Sequence, residues 1–101
     1  MKVRYLPSAA DRFLDILTAL AGVNPFAADR FARSVERQYL RLATFPRSGL
    51  RVREFPDLPL QQFFVEPYRF FYYVDEPRKT IWIIDLWHSA QLPLEPQLPA
   101  P

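Results

Sequence analysis

The chain has 101 residues, half of them apolar, with 13 basic and 11 acidic side chains, no cysteine and one histidine. A chain of this size and hydrophobicity is read as one folded domain and excludes a disordered polymer. The missing cysteines exclude a disulfide scaffold, a thiolate metal site and a cysteine nucleophile, and no carboxylate cluster accompanies the single histidine to make a zinc site.

Met1 to Leu6 alternates Val3 and Tyr5 with Lys2 and Arg4, predicting a short strand closed by Pro7. No uninterrupted apolar segment follows, so no signal peptide is expected. Apolar runs reach only about eight residues, against the ~20 of a membrane span. An intracellular, cytoplasmic protein is the default expectation. Ser8 and Asp11 resemble a capping box, and Phe13, Ile16, Leu17 and Leu20 repeat at helical spacing up to Gly22, read as a C-cap. Asn24-Pro25 starts a second helix, with Phe31, Val35, Tyr39 and Leu42 as its apolar stripe and Phe45-Pro46 as its stop. The two helices form an αα-hairpin.

A short strand is predicted over Leu50–Phe55, placing Arg51 and Arg53 on one face. Three strands dense in aromatic and β-branched residues follow, at 60–66, 68–75 and 79–87. Their alternation places Phe70, Tyr72 and Val74 opposite Phe71 and Tyr73, and Ile81, Ile83 and Trp87 opposite Trp82, Ile84 and Leu86. The last nine residues hold four prolines and cannot continue a sheet. The expected organisation is one domain over residues 1–92 and an extended or disordered tail over 93–101. The fold class is α+β: an N-terminal strand, the αα-hairpin, and a four-stranded antiparallel meander with the helices on one face. The strands are apolar on both faces, so the second face is expected to need a further cover, with a partner the obvious candidate.

Several segments together resemble the RelE/ParE superfamily of bacterial type II toxin–antitoxin toxins. They are Val3-Arg4-Tyr5-Leu6-Pro7-Ser8-Ala9-Ala10, the helical hairpin, Gly49-Leu50-Arg51-Val52-Arg53-Glu54-Phe55, Pro67-Tyr68-Arg69-Phe70-Phe71-Tyr72 and Ile84-Asp85-Leu86-Trp87-His88-Ser89-Ala90. The resemblance implies the α+β fold above and a growth-inhibiting toxin neutralised by a cognate antitoxin that wraps an extended, partly helical segment around it. It also implies one of two activities: ParE-like inhibition of DNA gyrase without catalysis, or RelE-like cleavage of messenger RNA on the ribosome. A degenerate member that binds its antitoxin without toxicity is a third reading.

The candidate residues divide between these readings. Arg51, Arg53 and Arg69 match basic strand positions of the nucleases, where guanidinium groups could hold phosphates or a phosphorane-like transition state. His88 matches a position used there for proton transfer. The structural alternative for Arg69 is a pair with Asp85 or Glu66. For His88 it is a strand-end residue, and for Arg51 and Arg53 a solvated edge face. Beyond His88 the chain reads Ser89-Ala90-Gln91-Leu92-Pro93, without the Arg and Tyr of the nuclease pattern. The ParE-like reading is therefore preferred. Residues 30–53 carry seven Arg against one Glu, and Arg30, Arg33, Arg37 and Arg41 form one helical stripe, either solvated or a docking surface for an acidic antitoxin segment, gyrase or nucleic acid. Phe71, Tyr73, Trp82 and Trp87 are candidate antitoxin contacts on the second sheet face. No cofactor is expected.

Overall fold

The computed structural model describes residues 1–99. In chain order it contains β1 (Lys2–Tyr5), α1 (Pro7–Val23), α2 (Pro25–Thr44), β2 (Leu50–Arg51), β3 (Gln61–Val65), β4 (Tyr68–Asp75) and β5 (Thr80–His88). The strands form one sheet in the order β1-β5-β4-β3-β2. β1 runs parallel to β5, and every other neighbouring pair is antiparallel. The helical hairpin therefore carries the chain from one sheet edge to the other, and the meander returns it to the starting strand.

The first helix starts two residues earlier than the capping-box reading places it. Pro7 occupies its first turn, Leu6 is the N-cap, and no side chain caps it. Pro7 sets its own φ and has no N–H to satisfy, so a helix can begin there without the Ser8 hydroxyl. Nor does Gly22 end the helix, which continues to Val23. Asn24 is the terminator: its N–H donates to Leu20 O at 2.8 Å, while its Oδ1 accepts from the N–H of Phe26 and of Ala27 at 3.0 and 3.3 Å. One residue thus closes α1 and caps α2, with Pro25 at the first position of α2.

The inner sheet face packs on the helices. Phe63, Phe70, Tyr72, Val74, Ile81, Ile83 and Leu86 meet Ala9, Phe31, Val35 and Leu42 in one buried cluster. Phe63 and Phe70 stack across β3 and β4 with ring centroids 4.7 Å apart, a geometry that adds to simple area burial. Phe71 and Ile84 lie in a second cluster on the outer face, with Tyr73, Trp82 and Trp87 packed beside them. Leu86 and Trp87 thus occupy the opposite faces from those that strict alternation predicts. The pairing explains this: Phe71 faces Asp85 but Tyr72 faces Ile83, so β5 carries one extra residue against β4. A bulge of this kind resets the alternation for everything after it.

The outer face is not left open. Val52 and Leu60 are buried in its cluster, and Phe55, Leu58 and Leu98 pack against it. Its cover is the loop between β2 and β3 together with the C-terminal segment, where a partner was the expectation. The segment Leu50–Phe55 correspondingly is not a continuous strand: pairing stops at Arg51, and Arg53-Glu54 turns. Val52 enters the outer cluster, which pulls the chain off the sheet edge. Residues 89–99 form no helix or strand, with Pro93 buried; residues 100 and 101 of the expected tail lie outside the described residues.

The two glycines have opposite environments. A Cβ on Gly49 would lie 2.5 Å from Tyr72 Oη and 2.7 Å from Gln62 O, whereas one on Gly22 would meet nothing within 4 Å. Gly49 also donates its N–H to Tyr72 Oη at 2.9 Å, so the close approach ties the turn before β2 to the central strand. Gly49→Ala should destabilise the protein by about 1–3 kcal/mol through overpacking. Gly22→Ala, near the end of α1, should stabilise it by about 0.5 kcal/mol through helix propensity. Urea denaturation of both variants reads the two signs directly.

Candidate functional site

The chemistry-bearing residues fall on three surfaces. The first is a groove of about 720 Å³ at the β2 edge, lined by Leu50, Arg51, Arg53, Glu54, Phe64 and Arg69 among others. Arg69 sits on β4, between Phe64 of β3 and Trp87 of β5. It is only 8 % exposed. An arginine in that position cannot shed its charge, so it needs a carboxylate and further acceptors.

Glu54 supplies the carboxylate. Arg69 donates through Nη1 to Glu54 Oε2 at 2.7 Å and through Nη2 to Glu54 Oε1 at 2.9 Å, the two-pronged geometry that suits a guanidinium. Its Nε donates to Gln62 Oε1 at 2.9 Å, and the guanidinium lies over the Phe71 ring, 4.9 Å from its centroid. Gln62 in turn donates to Arg51 O at 2.9 Å. Each nitrogen of the Arg69 guanidinium thus makes one hydrogen bond, and its carboxylate partner is neither Asp85 nor Glu66. Hydrogen bonding from Arg69 holds the Glu54 carboxyl below its ordinary value of 4.5, against a smaller opposing effect of burial.

Of the other nuclease candidates, Arg51 and Arg53 share the groove with Arg69, and His88 lies outside it. Arg51 is exposed and donates to Pro56 O at 3.3 Å. Arg53 is exposed on the turn after β2 and does not share a strand face with Arg51. His88 closes β5, paired with Tyr68 and packed edge-on to its ring at 5.6 Å. Its Nδ1 accepts the N–H of Ala90 at 3.1 Å, and its backbone N–H and C=O both bond Gln91. β2 lies three strands from β5 in the sheet, about 14 Å at ~4.8 Å per step. Arg51 and His88 therefore cannot flank one scissile phosphate in this fold.

The second surface is the exposed side of α2, where Arg30, Arg33, Arg37 and Arg41 are all solvent-exposed. Arg33 pairs with Asp29 at 2.9 Å and Arg37 donates to Ser34 Oγ at 2.9 Å. Arg30 and Arg41 have no ion pair among the described residues. The exposed apolar side chains Phe26 and Leu40 belong to the same helix. The result is a basic surface interleaved with hydrophobic contacts.

The third surface is the outer sheet face. Phe71 is completely buried there and cannot touch a partner, which corrects its assignment as a contact residue. Tyr73, Trp82 and Trp87 are half-buried. Two acidic groups hold the indoles. Trp82 Nε1 donates to Asp75 Oδ2 at 3.2 Å and Trp87 Nε1 to Asp85 Oδ2 at 2.9 Å. Burial would raise Asp75, but hydrogen bonds from the Arg78 side chain, Trp82 and the Arg78 backbone outweigh it and lower its pKa. At Asp85 burial prevails and raises the pKa, despite the Leu86 N–H and the Arg12 charge. Arg12 donates to Leu86 O at 2.8 Å and stacks on the Trp87 ring, 4.7 Å from its centroid. Among the described residues, no three His, Cys, Asp or Glu side chains gather as a metal site.

Glu54 and Arg12 were missed as site residues in the sequence. Glu54 is the one carboxylate in Arg51-Val52-Arg53-Glu54, and that was its available signal. Removing it strands a buried guanidinium, so Glu54→Ala should cost about 3 kcal/mol or more. Glu54→Gln should also flatten the acid limb. A carboxylate whose folded pKa is depressed contributes stability that is complete above its ordinary value and lost as pH falls through the folded one. Denaturation between pH 7 and pH 2, at roughly unit steps, should show the native chain losing more stability below 4.5 than the variant.

No helix among the described residues is long and apolar enough to cross a membrane. No curated protein matches the chain. Residues 3–93 match the family described as ParE toxin of type II toxin-antitoxin system, parDE. That span runs from β1 through all five strands and both helices to the first residue of the proline-rich segment. The chain therefore belongs to the ParE toxin family of type II toxin–antitoxin systems, within the RelE/ParE superfamily.

Proposed function

We propose that this toxin inhibits growth in the cytoplasm by binding DNA gyrase, without catalysis of its own, and that a cognate antitoxin neutralises it. The observation that carries the non-catalytic reading is the Arg69–Glu54 pair. The best-placed guanidinium for phosphate chemistry is buried and consumed by a bidentate carboxylate. A transition-state stabiliser has to offer its charge where charge develops, and here Nε, Nη1 and Nη2 each already donate to Gln62 or Glu54 and the side chain is buried. The missing Arg and Tyr after His88 support the same reading.

Contact with a large protein partner then falls to the exposed surfaces. The α2 stripe of Arg30, Arg33, Arg37 and Arg41, with Phe26 and Leu40 beside it, combines the long-range attraction and apolar anchors of a protein interface. An acidic surface on gyrase or an acidic antitoxin segment fits it.

Purified protein should inhibit ATP-dependent supercoiling by gyrase and leave messenger RNA intact in a translating ribosome assay. Replacing Arg30, Arg37 and Arg41 together by Glu should weaken whichever interaction the stripe serves by about tenfold, the sum of three modest surface terms. Supercoiling unaffected by excess toxin, together with ribosome-dependent cleavage, would overturn the proposal.

A further inference from the structure

The proline-rich segment after β5 has a spacing that the toxin fold does not require. Pro93, Pro96 and Pro99 recur every third residue. A polyproline II segment has three residues per turn, so these prolines share one edge. Burial follows the same period: Pro93 is buried and Pro96 and Pro99 are half-buried, while Leu92, Leu94, Glu95 and Gln97 are exposed. Leu98 is the one further residue turned inward.

The segment reaches this position through a reversal built at the end of β5. Ser89 N–H donates to Pro67 O at 2.8 Å, and Gln91 N–H to His88 O at 2.9 Å. Gln91 Oε1 accepts the His88 N–H at 2.9 Å. The chain is thereby turned back over the outer sheet face. Residues 94–97 line one groove with Leu6, Arg12, Ile84 and Trp87, and Leu98 packs into the cluster that holds Tyr73, Trp82 and Trp87. A proline-rich segment laid beside aromatic side chains, here Trp87 in the groove and Trp82 in the adjoining cluster, is a known physical solution for extended ligands. The segment is stiff before it docks, so ordering it costs little.

We propose that the outer sheet face is a receptor for a Pro-x-x-Pro-x-x-Pro segment, occupied in cis by Pro93–Pro99. The segment acts as a strap that covers Trp82 and Trp87 in the free protein, and a partner using those indoles has to displace it. The proposal does not depend on the gyrase reading.

The chain's two tryptophans both lie on this face, so tryptophan emission reports on its cover, and the variants alter only the strap. The test uses full-length Leu98→Asp, with Pro96→Gly as a second variant that loosens the strap without adding charge; far-UV circular dichroism checks that each is folded. Acrylamide quenching should rise by about twofold in both variants, as half-buried indoles become exposed. A free peptide of residues 91–99 should reverse that rise in the variants and leave the native chain unchanged. Unchanged quenching in folded variants would overturn the proposal. So would quenching of the native chain that depends on protein concentration, because the strap would then come from a second copy.

Discussion

An arginine placed in the middle of a sheet has to be neutralised where it stands, and much of this molecule is arranged around that requirement. Arg69 lies on the central strand with almost no access to water. Its charge cannot be removed by a pKa shift, because a guanidinium stays protonated in proteins. The carboxylate must come to it. Glu54 arrives from the loop after β2, and bringing it there draws Val52, Phe55 and Leu58 across the outer face of the sheet. The electrostatic constraint on Arg69 and the burial of Val52 thus act together in ending β2 early and in covering a face that would otherwise be exposed apolar surface.

The same constraint separates fold from chemistry. A pair that takes both prongs of a guanidinium for its own neutralisation leaves that charge compensated and little of it accessible to a substrate. Breaking it exposes a cost typical of buried ion pairs, while the intact pair adds little net stability over an apolar replacement. What the pair fixes is geometry: it anchors a loop to the central strand. On the proposed reading, partner contact falls to the surfaces where side chains remain in water, above all the arginine side of α2.

Much of the architecture was legible in the sequence because it rests on local rules. Helical spacing marks Phe31, Val35 and Leu42 as core, the Asn24-Pro25 pair marks a helix start, and aromatic runs mark the three long strands. What escaped is non-local or breaks a period. The extra residue in β5 is silent in an alternating pattern, yet it sends Leu86 inward and Trp87 outward. The partner of Arg69 lies 15 residues away, in a segment read as strand, so Asp85 and Glu66 on or beside the neighbouring strands took its place. Asp85 turns instead to Arg12 of α1, at 3.3 Å. The proline spacing of the tail was visible, but only the sheet behind it shows which edge faces the protein.

The central claim is that Arg69 serves structure and not cleavage. It is tested most directly by replacing both members of the pair with apolar residues of similar size, Arg69→Met together with Glu54→Leu, and measuring growth inhibition on induction of the variant without antitoxin. Removing both charges at once avoids the stranded ion, so the double variant should fold. Growth arrest comparable to that of the native toxin is the predicted result. A folded, soluble double variant that leaves growth unaffected would contradict the account.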